Sequence, residues 1–165
     1  MDSDTIKRKA LQGKDYFNNG YYCAESVLMA VADAVGLVSE LIPRIATGFC
    51  SGMARTKGVC GAVTGGILAI NLLTGRDTAT DSVELNYELV ETFLERFEIH
   101  YPSQYCDKLS GCDLGTPEGQ LYFQKNNVHE TCGDYVAETV KMVLELLVEF
   151  DVPFMDNRKN GIKNT

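Results

Sequence analysis

The pattern of apolar and polar residues along this chain is helical almost throughout. Apolar residues recur every three or four positions, the spacing that places them on one face of an α-helix. No convincing segment alternates with the period of two that a half-buried β-strand requires. The pattern therefore predicts an all-α protein. The clearest stripe comprises Val83, Tyr87, Val90, Leu94 and Phe97.

Glycines, prolines and capping residues divide this pattern into segments. Two Thr-x-x-Asp sequences, at Thr78 and Thr131, resemble capping boxes and predict the starts of two long helices. A glycine-rich loop is predicted over residues 48–58, and a short turn over 106–110. Longer helices are predicted over residues 3–17, 22–35, 59–74, 118–127 and 131–150, and another runs from the cap at Thr78 to about residue 100. A short helix is predicted between 39 and 48.

The segment 59–74 differs from the other predicted helices because it is apolar nearly all round. Such a helix is usually buried at the centre of a bundle. Gly61, Gly65 and Ala69 lie four residues apart on one stripe, where small residues allow another backbone or a cofactor to come close. Tight helix packing is the favoured interpretation of the glycines, and Gly61 and Gly65 are also candidates for cofactor binding. We therefore expect a single-domain helical bundle around this central helix.

Length and charge limit the classes of function. The chain has 165 residues and a formal net charge of −8. We expect one helical domain over residues 1–154 and a flexible polar C-terminal tail over 155–165. The basic residues are scattered, which disfavours nucleic acid as a partner. The acidic N-terminus lacks the pattern of a secretory signal and no apolar stretch could span a bilayer, so we expect a cytoplasmic protein without membrane insertion.

Six cysteines are the main candidates for chemistry. None are spaced Cys-x-x-Cys, so the sequence lacks the common zinc and thioredoxin-like signals. Four of them, at positions 23, 60, 106 and 132, fall at predicted helix starts. Helix N-termini carry partial positive charge and free N–H groups, which lower thiol pKa values and stabilise thiolates. These four cysteines are therefore the predicted functional set.

The other candidates have simpler interpretations. Cys50 and Cys112 are interpreted as small core residues, because free cysteine is commonly buried. His129 is close enough in sequence to Cys132 to reach the same site, although a loop histidine is more often exposed. Glu25 is interpreted as an acid that complements the dipole at the start of its helix, with a proton relay near Cys23 as the alternative.

Four short sequences that contain cysteines and one isolated cysteine form an ordered set of motifs. Together they resemble the C-GCAxxG-C-C family, which is described as redox-active, over roughly residues 10–148. The chain has Cys-Gly-Ala where the family name writes Gly-Cys-Ala, and it keeps the spacing to Gly65. The motifs are 22–27 (YCAESV), 48–53 (GFCSGM), 60–65 (CGAVTG), 106–111 (CDKLSG) and Cys132.

The resemblance implies that Cys23, Cys60, Cys106 and Cys132 act together. An iron–sulfur cluster held by these thiolates, used for electron transfer with an unknown donor or acceptor protein, is the first hypothesis. Cofactor-free thiol–disulfide chemistry among the same cysteines is the second. A zinc-stapled helical adaptor without catalysis, and a plain interaction protein with core cysteines, are the others. An apolar central helix is also compatible with a homodimer.

Overall fold

The structure is a bundle of helices. This computed structural model describes residues 1–154, and the predicted tail 155–165 lies outside the described residues. Residues 1–154 contain no β-strand, which confirms the all-α prediction. None of the helices in that range combines the length and apolar composition needed to cross a bilayer. The elements are α1 (Ser3–Asn18), α2 (Cys23–Val35), a 3-10 helix (Arg44–Phe49), α3 (Cys50–Arg55), α4 (Gly61–Thr74), α5 (Glu84–His100), α6 (Cys106–Ser110), α7 (Pro117–Lys125) and α8 (Val128–Glu149).

Local capping explains where the first helices begin and end. Asp2 caps α1, where its carboxylate accepts the backbone N–H of Thr5 at 2.7 Å. At the start of α2, the carboxylate of Glu25 accepts the N–H of Tyr22 at 2.8 Å. Gly36 ends α2 with a φ of 72°, a left-handed conformation that glycine adopts without steric cost. These bounds agree closely with the predicted ones.

Five helices, α1, α2, α4, α5 and α8, pack around one apolar core. α2 contacts α1, α4 and α8, and α4 also contacts α5 and α8. Residues 61–66 of α4 are all buried, whereas its last turn is partly exposed. Burial of the apolar side chains is the main favourable contribution to folding. The largest fully buried side chains include Leu28, Ile70, Leu89, Phe93, Phe97, Leu144, Leu146 and Leu147.

Two helix starts differ from the prediction. α8 begins at Val128 rather than after Thr131, because Asn127 adopts a left-handed φ of 54° and separates α7 from α8. Cys132 therefore lies in the second turn of α8, and its predicted position at a helix start was wrong. Similarly, the Asp81 carboxylate accepts the N–H of Thr78 at 2.8 Å, but it closes a turn in the loop before α5 begins at Glu84.

The glycine-rich stretch predicted as a loop contains a left-handed helical turn in α3. Residues 51–55 all have positive φ angles, between 46° and 68°. This conformation costs each non-glycine residue roughly 1–2 kcal/mol. The Gly52 carbonyl accepts the N–H groups of Thr56 and Gly58 at 3.2 and 3.1 Å, which closes the turn. Strain of this kind persists only where surrounding contacts hold it, and functional sites are common places for it.

Candidate functional site

Four cysteines line one cavity with a volume of about 300 Å³: Cys23, Cys60, Cys106 and Cys132. They come from four different elements, α2, the cap of α4, α6 and α8. The structure thus brings together the four positions that the sequence selected. Aromatic, polar and small residues form the rest of the wall: Phe17, Gly20, Tyr21, Tyr22, Ser51, Arg55, Leu114, Gln120, Phe123, Gln124 and His129.

Cys60 and Cys106 are held next to each other by the backbone. The N–H of Cys60 donates to the carbonyl of Gln104 at 2.7 Å, and the N–H of Cys106 donates to the carbonyl of Gly58 at 3.0 Å. Each bond satisfies an N–H at a helix start that has no partner within its own helix. The segment before α4 is thereby joined to the segment before α6.

Cys132 is brought to the cavity by the packing of α8 against α6. The hydroxyl of Tyr135, one turn after Cys132, donates to the carbonyl of Leu109 at 3.2 Å. The Tyr135 ring also packs edge-on against Tyr101, with 4.9 Å between the ring centroids. These contacts fix the face of α8 that carries Cys132.

Cys23 lines the cavity and packs beside Cys50. A Cβ built on Gly61 would overlap the Sγ of Cys23 and would lie 3.1 Å from the Cα of Cys50, so both cysteines pack against this glycine. The Cys50 thiol donates to the carbonyl of Ala46 at 3.5 Å. Cys50 is only 3% exposed and does not line the cavity. Cys50 is buried, as predicted. It also packs beside Cys23, one of the four cavity cysteines, so it is not only a core residue.

The four cavity thiols differ in acidity. The hydrogen bond from the Cys50 thiol, helped by backbone N–H groups, lowers the pKa of Cys23 to about 7. Burial, together with the charge of Cys23, raises the pKa of Cys106 to about 11 and that of Cys132 to about 12. Burial also raises the pKa of Cys60 well above its usual value. The prediction that helix starts lower all of these pKa values therefore holds only for Cys23, because desolvation outweighs the helix dipole at Cys60 and Cys106.

The predicted glycines face α2 rather than the cavity. Gly61 and Gly65 are not among the residues that line the cavity. A Cβ on Gly65 would lie 2.8 Å from the Cα of Ala24, so this glycine allows α4 and α2 to pack closely. Gly61 touches the site from behind, where it leaves room for the Cys23 sulfur.

The remaining candidates divide into residues inside and outside the cavity. His129 is an exposed residue that lines the cavity, and its ring stacks on Phe17 at a centroid distance of 4.5 Å. Glu25 is buried outside the cavity, where it accepts the Thr47 hydroxyl at 2.7 Å, so its role is capping. Cys112 is half-buried beside Ser110 and does not line the cavity.

Sequence reasoning missed several wall residues. Phe17 and Phe123 come from α1 and α7, and no motif connects them with the cysteines. Two basic residues, Arg55 and Lys57, precede Cys60 in sequence. Arg55 lines the cavity, whereas the Lys57 ammonium pairs with the Asp113 carboxylate at 3.4 Å. Arg55 is therefore the basic residue of the two that belongs to the cavity wall.

The four thiols surround a space rather than a single point. Within residues 1–154, no group of three or more Cys, His, Asp or Glu side chains is arranged to hold one metal ion. All four thiols nevertheless face the same cavity of about 300 Å³. The arrangement therefore suits a group larger than an ion, or a reaction among the thiols.

One protein-family model matches most of this chain. The sequence model of the family described as "Putative redox-active protein (C_GCAxxG_C_C)" matches residues 21–146. No curated protein and no solved structure matches the chain. The family match contains all four cavity cysteines and spans most of the sequence. The chain therefore belongs to the C_GCAxxG_C_C family of redox-active proteins.

Proposed function

We propose that Cys23, Cys60, Cys106 and Cys132 ligate an iron–sulfur cluster used for electron transfer. The observation that carries this proposal is that the four thiols line one cavity of about 300 Å³. Four cysteine thiolates are the common ligand set of iron–sulfur clusters. Membership of a redox-active family supports the same class of function.

The spread of the thiols favours a cluster over a single zinc ion. Tetrahedral zinc binds sulfur at about 2.3 Å, so its ligand sulfurs must lie within roughly 4 Å of each other. Among the described residues, no three candidate ligands are arranged in this way. A cluster distributes its metal ions over a larger volume, so its ligands stand further apart.

The surroundings suit a buried, negatively charged centre. Backbone N–H groups of Ser51 and Ala24 help to lower the pKa of Cys23, and Arg55 is one of the wall residues. Hydrogen bonds to sulfur and nearby positive charge stabilise such centres and tune their potentials. The cluster, when bound, supplies a one-electron couple, and the aromatic side chains of Phe17 and Phe123 limit the access of water to it.

Thiol–disulfide chemistry among the same cysteines is the second candidate. The lowered pKa of Cys23 favours it, because a thiolate at neutral pH is the attacking species in disulfide exchange. The raised pKa values of Cys106 and Cys132 count against these two thiols as nucleophiles. A metal cation would overcome this penalty by stabilising their thiolates, which supports the first candidate.

Anaerobic purification followed by iron and acid-labile sulfide analysis tests the proposal. We expect both elements, together with a visible charge-transfer absorption that bleaches on reduction. Serine at any of the four cavity cysteines should strongly reduce iron content, whereas Cys112→Ser should leave it unchanged, since Cys112 does not line the cavity. A protein that takes up neither iron nor sulfide would overturn the cluster. Zinc in their place would support the zinc-stapled adaptor instead.

A further inference from the structure

The close packing of Cys23 and Cys50 is a feature that the four-cysteine site does not explain. The Cys23 Sγ and the Cys50 Cα both pack against Gly61, and the Cys50 thiol donates to the carbonyl of Ala46 at 3.5 Å. A disulfide requires that two cysteines lie close together. The shared contact with one glycine places Cys23 and Cys50 side by side.

The positions of the two cysteines relative to the cavity are different. Cys23 lines the cavity, where a small molecule can reach it, whereas Cys50 is 3% exposed and does not line it. A disulfide is formed through a mixed disulfide, which a second thiol then attacks. Cys50 packs beside Cys23 without lining the cavity, so it can attack the Cys23 sulfur while the leaving group occupies the cavity.

We propose that Cys23 and Cys50 form a reversible disulfide that withdraws Cys23 from the four-thiol site. The regulatory part of this proposal rests on the proposed function, because it assumes that Cys23 is a cluster ligand. In the oxidised state only Cys60, Cys106 and Cys132 would remain as free cavity thiols. The same protein would then hold its cofactor only under reducing conditions.

The reaction is a two-electron exchange with a small-molecule disulfide. The Cys23 thiolate attacks one sulfur of the disulfide RSSR, the S–S bond of RSSR breaks, and RS⁻ leaves to take up a proton. The hydrogen bond to Cys23, burial and the negative charge of Cys23 raise the pKa of Cys50 in the reduced protein, but only burial still opposes its ionisation once Cys23 is in the mixed disulfide. Cys50 then loses its proton and attacks the Cys23 sulfur, and the second RS⁻ leaves and is protonated. The net change converts two cysteine thiols and RSSR into one protein disulfide and two RSH, so the two cysteines are oxidised and RSSR is reduced.

Peptide mapping of the full chain tests this pairing directly. The metal-free reduced protein is incubated with oxidised and reduced glutathione in graded ratios, its remaining thiols are alkylated in acid, and it is digested with trypsin. Cys23 and Cys50 fall in separate peptides, 15–44 and 45–55, each of which contains one cysteine. We expect these two peptides to become linked, with the loss of two hydrogens, before any other pair. Dithiothreitol should release them and restore the alkylation of Cys23.

Two variants control the assignment. Cys50→Ala should abolish the linked peptide and leave Cys23 as a mixed disulfide with glutathione, whereas Cys112→Ala should form the link as the wild type does. Circular dichroism checks that both variants are folded. The proposal is overturned if the wild type forms no 15–44 to 45–55 link, or if another cavity cysteine pairs with Cys23 first.

A separate measurement relates the disulfide to the cofactor. Wild-type protein loaded anaerobically with ferrous iron and sulfide should form the Cys23–Cys50 link at least tenfold more slowly than the metal-free protein. Equal rates of disulfide formation in the iron-loaded and the metal-free protein would overturn the proposal that the disulfide competes with the cofactor for Cys23. Failure of the reduced protein to take up iron counts only against the proposed function, because the mapping of the metal-free protein still decides whether the disulfide forms.

Discussion

Cys60 and Cys106 lie on two segments that hydrogen-bond each other through their backbones. Cys60 donates to Gln104 and Cys106 donates to Gly58, so neither bond involves a cysteine side chain. We therefore expect Cys60→Ser and Cys106→Ser to keep their segments in place while they lose a ligand. Each variant should keep its helical circular dichroism and lose no more than about 2 kcal/mol of unfolding free energy, the scale for burying a hydroxyl. Unfolding of either variant at room temperature would contradict this.

Gly61 leaves the space that the Cys23 sulfur occupies. Gly61→Ala should displace this sulfur and cost about 1–3 kcal/mol of stability, the usual range for overpacking a core. Gly48→Ala is the matched control, since no atom lies within 4 Å of a Cβ built there. We expect the control to stay within about 0.5 kcal/mol of the wild type in urea unfolding. Equal midpoints for the two variants would argue against the close packing at Gly61.

The pKa of Cys23 predicts a distinctive pH profile of alkylation. Above pH 7 this cysteine is mostly thiolate, so in the metal-free reduced protein its reaction with iodoacetamide should reach half its maximal rate near pH 7. Below that pH the rate should fall about tenfold per unit, because the thiolate fraction falls by that factor. Cys106 and Cys132, whose pKa values are raised, should stay unmodified at neutral pH.

A single variant checks the cause of this profile. Cys50→Ala removes the hydrogen bond that lowers the pKa of Cys23 most, so the midpoint should move towards the ordinary cysteine value of about 8.5. Timed alkylation followed by mass spectrometry of peptide 15–44 measures it. A midpoint that stays near 7 in the variant would assign the effect to the backbone N–H groups instead.

Thr139 and Thr64 offer a contrast between two hydroxyls in the interior. The Thr139 hydroxyl is buried without a hydrogen-bond partner among the described residues, whereas the Thr64 hydroxyl donates to the carbonyl of Phe49 at 2.9 Å. Thr139→Val should stabilise the protein by about 1 kcal/mol, because it removes an unsatisfied polar group. Thr64→Val should destabilise it by about 1–2 kcal/mol. Chemical denaturation of both variants measures the sign, and a loss of stability in Thr139→Val would contradict the prediction.

The left-handed turn predicts an unusual response to glycine. Ala54 has a φ of 58°, so Ala54→Gly should relieve backbone strain and raise stability by up to about 1 kcal/mol. Ala34 is a helical residue of α2, where the same change should cost about 0.5–1 kcal/mol. The two variants should therefore shift the thermal midpoint in opposite directions. A shift of the same sign would mean that residue 54 is not held in this conformation.

The sequence was sufficient to predict the helices, because apolar spacing and glycine punctuation are local signals. It predicted α2 and α4 nearly to the residue. It misplaced the start of α8, because Asn127, the residue before this helix, is left-handed and makes no side-chain cap hydrogen bond, so no capping motif marks the start. The position of Cys132 relative to its helix was wrong for the same reason.

The candidate site was predictable only in part. The four cysteines could be selected from their sequence positions and from the family resemblance, but their acidities depend on burial, which the sequence does not reveal. Cys50 directly precedes the left-handed turn at residues 51–55, and four of these five residues are not glycine. No local rule predicts such a turn, so Cys50 was interpreted as a core residue.

The four cavity cysteines are far apart along the chain, and this separation has a consequence for unfolding. A group bound by all of them would turn the stretch from Cys23 to Cys132 into consecutive closed loops. Closing loops restricts the unfolded chain far more than the folded one, and longer loops have the larger effect. Binding of such a group in the cavity should therefore make α2, α4, α6 and α8 unfold as one unit. The stability of the short α6 should increase most.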